Sequence, residues 1–182
     1  MAVQTHLMVS EFERIAALAE NADRRLEFIG GEIVEVVSNN FASTISARIL
    51  IRIGNFVEAH NLGYLTNAEG GYMVSGERYI PDVGFISKTR QPKPSHDTWN
   101  PLAPDLAVEV VSPTDRSQPI ADKVANYLSA GTLVWYVYLD DQQVRVYAPG
   151  QPVRTLGIDD VLDGSKVLPG FKLALRDIFS VE

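Results

Sequence analysis

The 182-residue chain contains no cysteine. That absence excludes disulfide bonds, thiolate zinc sites and cysteine nucleophiles. No apolar run approaches the roughly 18 residues that a membrane-spanning helix requires, and the first residues lack the basic and then apolar pattern of a secretory signal. We therefore expect a cytoplasmic protein with no membrane partner.

Positive charge is also scarce in this chain. It has 16 Lys and Arg against 23 Asp and Glu, a net charge of −7, and no run of basic residues. Because the field of such a molecule repels polyanions, a nucleic acid would need a local basic groove or a metal site that offsets the phosphate charge. An apolar fraction of 46% is enough for one core, so we expect a single domain over residues 1–182, its core at about 11–179.

Helical periodicity appears in four places. Ser10 and Glu13 have capping-box spacing, which predicts a helix from Ser10 to about Ala19. The longest amphipathic segment runs from about Ala42 to Ala59, where apolar residues recur every third or fourth position. Two further helices are predicted, from Pro119 to Ala130 before a terminating Gly131, and near Leu175 to Phe179.

Short runs rich in β-branched and aromatic residues occupy the rest of the chain. The runs Leu26 to Ile29 and Glu32 to Val36 flank Gly30-Gly31 and predict a tight hairpin. We expect the remaining runs to form one central sheet: Tyr64 to Thr66, Gly71 to Val74, Ile80 to Ser87, Leu106 to Ser112 and Leu133 to Leu139. The helix between the last two runs predicts a right-handed parallel crossover, and the proline-rich stretch Arg90 to Pro104 predicts a surface loop.

Two acidic residues interrupt these apolar runs. Glu109 lies within Leu106 to Val111, and Asp82 follows Pro81 in a run that we interpret as a strand. An unpaired charge inside a core strand is costly, so each carboxylate needs a partner. If the two strands are neighbours, the acids lie close together, and two carboxylates with a backbone carbonyl and water form the oxygen-rich site that Mg²⁺ or Mn²⁺ prefers.

Lys123 and Glu27 are two further candidates. Lys123 lies on the crossover helix one turn from Ile120 and one turn from Tyr127, beside the apolar face. From there its ammonium group can reach the sheet and stabilise charge that develops on a phosphate. Glu27 lies in an apolar strand and is a candidate for an extra carboxylate at the periphery of the site.

Each of these residues also has a purely structural interpretation. Asp82 is placed where it can cap a turn, Glu27 where it can be a hairpin edge residue, and Lys123 where it can be a solvated helix residue. A structural ion pair with Arg78 or Lys123 would satisfy Glu109 without any catalytic role. Neither interpretation is excluded by the residues alone.

Six blocks of the sequence, taken in order, resemble the Uma-type family of bacterial restriction-endonuclease-like proteins. They are Leu26 to Glu32, Ile80 to Val83, Pro104 to Pro113, Lys123 to Tyr127 with Ala130-Gly131, Val134 to Val137, and Leu168 to Phe171. The resemblance covers about Glu11 to Phe179. It implies a restriction-endonuclease-like α/β fold, with a central mixed β-sheet flanked by α-helices and with an N-terminal helix and β-hairpin.

The same resemblance implies an activity and a site. It predicts a metal-dependent endonuclease acting on DNA, in which Asp82, Glu109 and the backbone carbonyl of Val110 hold Mg²⁺ or Mn²⁺. In the wider nuclease superfamily a lysine follows the second acid by two residues, but that position here is Val111. Lys123 would be its migrated replacement. The missing lysine and the acidic charge favour an alternative, a nuclease-fold binding or regulatory module without activity. Cutting both strands of a duplex needs two sites, which favours a homodimer.

Overall fold

The computed structural model describes residues 7–111 and 117–180. Within them the helices are α1 (Val9–Ala16), α2 (Asn40–Ala59), α3 (Ser117–Ser129) and α4 (Arg176–Phe179), with one 3₁₀ turn at Ala19–Asn21. The strands of the first half are β1 (Leu26–Ile29), β2 (Glu32–Glu35), β3 (Gly63–Thr66), β4 (Gly71–Val74), β5 (Glu77–Tyr79), β6 (Val83–Ser87) and β7 (Trp99–Asn100). Those of the second half are β8 (Leu106–Val111), β9 (Leu133–Tyr138), β10 (Gln143–Tyr147), β11 (Arg154–Leu156), β12 (Val161–Asp163) and β13 (Lys172–Ala174).

The first helix differs from its prediction. It starts one residue earlier than Ser10, after Met8, and no side chain caps it, so the predicted capping box is wrong. It also ends at Ala16, because the chain turns into the 3₁₀ helix at Ala19–Asn21. Phe12 is buried on its inner face against Phe28 of β1, with ring centroids 5.4 Å apart.

The predicted hairpin is confirmed. β1 and β2 pair antiparallel, and Gly30 and Gly31 have φ angles of 59° and 82°. Such left-handed angles suit a two-residue hairpin turn, and glycine adopts them without steric cost. The hairpin belongs to a five-stranded sheet with the strand order β2-β1-β5-β4-β7.

The central sheet has six strands in the order β11-β10-β9-β8-β6-β3. β8 and β9 are parallel and joined through the segment that carries α3, as predicted, while β6 pairs antiparallel with β8. The sheet is therefore mixed. α2 packs on one face through Ile45, Ile49 and Ile53, which share the main core cluster with Trp135 of β9. α3 covers the opposite face, where Tyr127 lies in a second cluster.

Three expectations about the strands need correction. The predicted single sheet is wrong, because β4 pairs with β5 and β7 in the smaller sheet. The loop from Arg90 to Pro104 contains β7, which pairs in parallel with β4. β6 begins at Val83, so Asp82 lies just before the strand and not inside it. Pro81 cannot donate a ladder hydrogen bond, which is consistent with a strand that starts after it.

The two large sheets meet closely at Gly84 of β6. A Cβ atom built there would lie 2.7 Å from the hydroxyl oxygen of Tyr72 and 2.7 Å from Thr66 Oγ1. Tyr72 and Thr66 are hydrogen bonded to each other at 2.9 Å, so neither side chain can move aside without weakening this hydrogen bond. No helix within residues 7–111 and 117–180 is long and apolar enough to cross a membrane.

Candidate active site

The pairing of β6 with β8 places the two acids together. Val83 lies opposite Val108, so the register continued by one residue sets Asp82 opposite Glu109. Residues opposite each other on neighbouring strands project to the same face of a sheet. Both carboxylates therefore face α3, and both line a cavity of about 460 Å³.

Lys123 of α3 reaches this pair of acids from above the sheet. Its Nζ atom lies 2.8 Å from Glu109 Oε1 and 2.9 and 3.1 Å from the two carboxylate oxygens of Glu27. The three side chains are nearly inaccessible, with 7% of Lys123, 9% of Glu109 and 3% of Glu27 exposed. The solvated-helix interpretation of Lys123 is therefore wrong.

Glu27 is a central member of this buried group of charged side chains, together with Lys123 and Glu109. β1 lies between β2 and β5, so Glu27 is not on an edge strand and is not peripheral. Its Oε1 atom also accepts a hydrogen bond of 2.6 Å from the backbone N–H of Ile80. Arg78, which the sequence offered as another possible partner of Glu109, pairs instead with Glu13, at 2.6 Å.

Burial perturbs the protonation of Glu109. Loss of solvent raises the pKa of this carboxyl well above its usual value; the nearby charges of Glu27 and Asp82 raise it further, whereas the Lys123 ammonium opposes the rise. Tyr127 of α3 donates a hydrogen bond of 2.9 Å to Glu109 Oε1. Glu109 thus shares one oxygen between two donors.

Lys123 stays charged because the neighbouring carboxylates outweigh the effect of burial. Burial acts to lower the pKa of its ammonium group, but Glu109 and Glu27 together outweigh that effect, and the pKa is raised above its ordinary value. An ammonium group has three N–H donors, and its three contacts are the three carboxylate oxygens of Glu27 and Glu109 named above. The Tyr79 ring lies 5.3 Å from Nζ and adds a cation–π contact.

Asp82 is held by the backbone of β8. Its Oδ2 atom accepts a hydrogen bond of 2.7 Å from the N–H of Val110. Burial raises the pKa of the Asp82 carboxyl, and this hydrogen bond together with Lys123 partly offsets the rise. The acid is therefore anchored beside Glu109 although it lies outside the strand.

Sequence reasoning missed two tyrosines at this site. The sequence places Tyr127 only on the apolar face of its predicted helix, and Tyr136 only within the block Val134 to Val137. Tyr136 lies opposite Glu109 in the parallel register of β8 and β9 and lines the same cavity. Its hydroxyl is buried without a hydrogen-bond partner among the described residues. Both tyrosines lie within blocks of the family resemblance. Their positions beside Glu109 could not be predicted, because they depend on how α3 packs and on the pairing of β8 with β9.

The residues of the cleft fit a divalent cation. Within the described part of the chain, Asp82 Oδ1 and Glu109 Oε2 accept no hydrogen bond. Three carboxylates face one ammonium group there, which leaves a surplus of negative charge when all are ionised. Free carboxylate oxygens with surplus negative charge suit hard ions such as Mg²⁺ and Mn²⁺. No set of three His, Cys, Asp or Glu side chains within residues 7–111 and 117–180 forms a metal cluster by itself, so such an ion would need backbone oxygen or water as well.

A mixed sheet with helices on its faces, with Glu109 on β8 and Asp82 just before the neighbouring β6, has the architecture of a restriction-endonuclease-like fold. A solved structure described as "a putative nuclease belonging to DUF820 from Anabaena variabilis ATCC 29413" superposes with a TM-score of 0.83. It is 21% identical in sequence, and the match covers 96% of this chain and 98% of that one. No curated protein matches the chain.

The family is established by sequence. The family model Uma2, whose description is "Putative restriction endonuclease", matches residues 9–176. The chain therefore belongs to the Uma2 family, which confirms the predicted resemblance. The Ser112-Pro113 end of one of its blocks lies outside the described residues.

Proposed function

We propose that the protein is a metal-dependent endonuclease that hydrolyses phosphodiester bonds in DNA. The observation that carries this proposal is the placement of Asp82 and Glu109 side by side on one sheet face, with the buried ammonium group of Lys123 in contact with Glu109. Membership of a family described as restriction endonucleases and the fold of a described nuclease support it.

Each residue of the cleft has a distinct task in this proposal. Asp82 and Glu109, with the backbone carbonyl of Val110, would hold Mg²⁺ or Mn²⁺. When bound, such an ion supplies Lewis-acid stabilisation of the phosphate and activation of the attacking water. The N–H of Val110 already fixes Asp82 at 2.7 Å, which orients this carboxylate before any ligand arrives.

Lys123 stabilises the negative charge that grows on the phosphate in the transition state. In the hydrolysis, a water oxygen forms one new bond to phosphorus and the P–O bond to the leaving strand breaks. The proton lost by the water balances the proton gained by the leaving oxygen. A cavity lined by several acids repels DNA unless cations offset that charge, so activity should depend strictly on the divalent ion.

The test is cleavage of DNA by the purified chain with Mg²⁺ or Mn²⁺. We expect cleavage by the wild type, none with chelator, and none by Glu109→Ala. Glu35→Gln is the matched control, since Glu35 lines the same cavity but pairs at its exposed rim with Arg24. Thermal unfolding of each variant shows that it is folded. If a broad panel of DNA and RNA stays intact with either metal, catalysis must be abandoned.

Two observations favour a second function, a binding or regulatory module that retains the fold without activity. The three N–H donors of Lys123 all contact carboxylate oxygens of Glu27 and Glu109, and residue 111 is Val where the superfamily usually has lysine. Calorimetric titration with Mn²⁺ separates the two proposals. Binding that Asp82→Asn weakens tenfold or more supports the endonuclease, whereas no binding dependent on Asp82 and Glu109 supports the module.

We also propose that the active form is a homodimer, because cleavage of both strands requires two sites. Light scattering of the full chain at several concentrations tests this directly. A mass of one chain throughout, together with double-strand cleavage, would contradict it.

A further inference from the structure

The acids of the candidate site belong to a longer row of side chains. Glu109 lies opposite Tyr136 across β8 and β9, and Tyr136 lies opposite Arg145 across β9 and β10. With Asp82, these residues form one row on a single face of the central sheet, since directly opposite residues share a face. Two strand spacings separate Arg145 from Glu109, or about 10 Å.

Two more tyrosines surround the arginine end of this row. The guanidinium carbon of Arg145 lies 4.5 Å from the ring centre of Tyr138. The Tyr147 ring packs edge-on against Tyr136, with centroids 6.0 Å apart and an angle of 86°. Tyr138, Arg145 and Tyr147 are each half-buried, and we call these three residues the tyrosine–arginine patch.

The positive charge of this patch, carried by Arg145, is not paired with an acid among the described residues. No carboxylate lies within salt-bridge distance of Arg145 in the described part of the chain, as is also true of Arg14, Arg25, Arg48 and Arg52, whereas five other arginines are paired with acids. Those pairs involve Arg24, Arg78, Arg90, Arg154 and Arg176. The Arg145 guanidinium interacts with the side chain of Tyr138 and not with an acid. In a chain with a net charge of −7, its charge can therefore attract an anion from outside.

Aromatic rings beside an arginine match the chemistry of an unpaired nucleic-acid strand. Exposed bases stack on aromatic side chains, and guanidinium groups bind phosphate oxygens. A duplex presents its bases already stacked and offers the rings no free face. Tyr138 lies at the carboxyl end of β9, Arg145 lies opposite Tyr136, and Tyr147 lies opposite Val134 near the amino end of the strand. The patch adjoins the cleft through Tyr136, which lines the cavity of the candidate site.

We propose that the tyrosine–arginine patch binds an unpaired stretch of the DNA substrate within about three nucleotides of the cleaved bond. This inference rests on the proposed nuclease function and adds its substrate class, DNA with a locally single-stranded segment. Tyr138 and Tyr147 supply stacking surfaces, and Arg145 contacts a phosphate.

Fluorescence anisotropy with a labelled single-stranded 15-mer tests the proposal. The full chain is titrated with Ca²⁺ in place of Mg²⁺, and gel analysis verifies that the strand remains intact. We expect Arg145→Gln and Tyr138→Leu each to weaken binding about five- to tenfold. Arg154→Gln is the matched control, because this arginine lies on the neighbouring β11 but pairs with Asp163; its binding should stay within twofold of wild type. Calorimetric Mn²⁺ affinity should be unchanged in all three variants.

The outcomes separate this inference from the proposed function. If the wild type binds neither single-stranded nor duplex DNA, the proposed function fails and the patch proposal fails with it. If the wild type binds the single strand and the patch variants bind equally well, only the patch proposal is overturned. A wild type that prefers duplex, with variants that weaken duplex binding alone, also overturns it.

Discussion

The ammonium nitrogen of Lys123 lies 2.9 Å from Glu27 Oε1, across a separation of 96 residues in the sequence. The same nitrogen contacts Glu109 at 2.8 Å. One buried cation thus joins the hairpin sheet, the central sheet and α3. This contact makes the chemistry of the site and the stability of the fold depend on the same atoms.

Removal of Lys123 should therefore destabilise the protein. Lys123→Met leaves Glu27 and Glu109 buried without their cation, and breaking a buried pair in this way costs about 3 to 5 kcal/mol. Urea denaturation should show this loss. Lys172→Met is the control and should change little, because Lys172 is an exposed residue of β13. Adding Glu27→Gln and Glu109→Gln to Lys123→Met should recover much of the loss, because no buried charge then remains unpaired. An unchanged Lys123→Met midpoint would contradict the ion-pair geometry.

Removal of the Tyr127 hydroxyl and removal of the Tyr136 hydroxyl, both near Glu109, should have different effects on stability. Tyr127→Phe deletes a hydrogen bond to a carboxylate and should cost about 2 kcal/mol of unfolding free energy. Tyr136→Phe deletes a hydroxyl without a described partner and should leave stability unchanged or raise it by about 1 kcal/mol. Paired urea titrations measure the difference. Equal losses in both variants would show that Tyr136 is hydrogen bonded in the folded protein.

The stability of the metal-free protein should fall as pH rises. The pKa values of Asp82 and Glu109 are raised in the folded state above their usual 3.8 and 4.5, in both cases chiefly by burial. The folded protein therefore holds protons that the unfolded chain releases, and stability declines as pH rises above those values. Urea midpoints from pH 4 to 8 in chelator should show the decline. In the Asp82→Asn, Glu109→Gln double variant, the urea midpoint should depend less on pH. If the midpoint of the variant falls as steeply as that of the wild type, the effect comes from other groups.

Substitution by alanine should have opposite effects on stability at Gly84 and at Gly54. A Cβ atom at Gly84 meets Tyr72 and Thr66 at 2.7 Å, so Gly84→Ala should cost about 1 to 3 kcal/mol. At Gly54 in α2 the nearest atom is 3.6 Å away, on Leu65, and Gly54→Ala should add up to about 1 kcal/mol through helix propensity. Thermal unfolding compares the two. A stable Gly84→Ala variant would show that the sheets can separate there.

Local patterns in the sequence were enough to predict much of the fold. α2 extends only two residues beyond its predicted start, because the amphipathic periodicity that predicts it is local. The Gly30-Gly31 hairpin is equally local. The Asn39 side chain, which caps the helix by accepting a hydrogen bond from the N–H of Ala42, was not predicted. The capping box at Ser10 failed because the helix begins at Val9, which places Ser10 inside its first turn. The second sheet was missed because β4, β5 and β7 are too short to show their partners.

The sequence by itself determined that Asp82, Glu109 and Glu27 had to have partners, because a charge within an apolar run is costly to bury alone. It also determined the family, through blocks of residues in a fixed order. Only the tertiary structure decided which partners these acids have. Lys123 lies between Glu27 and Glu109, and Tyr136 lies beside Glu109 with Arg145 beyond it, because strand order and register set those distances between residues far apart in the chain.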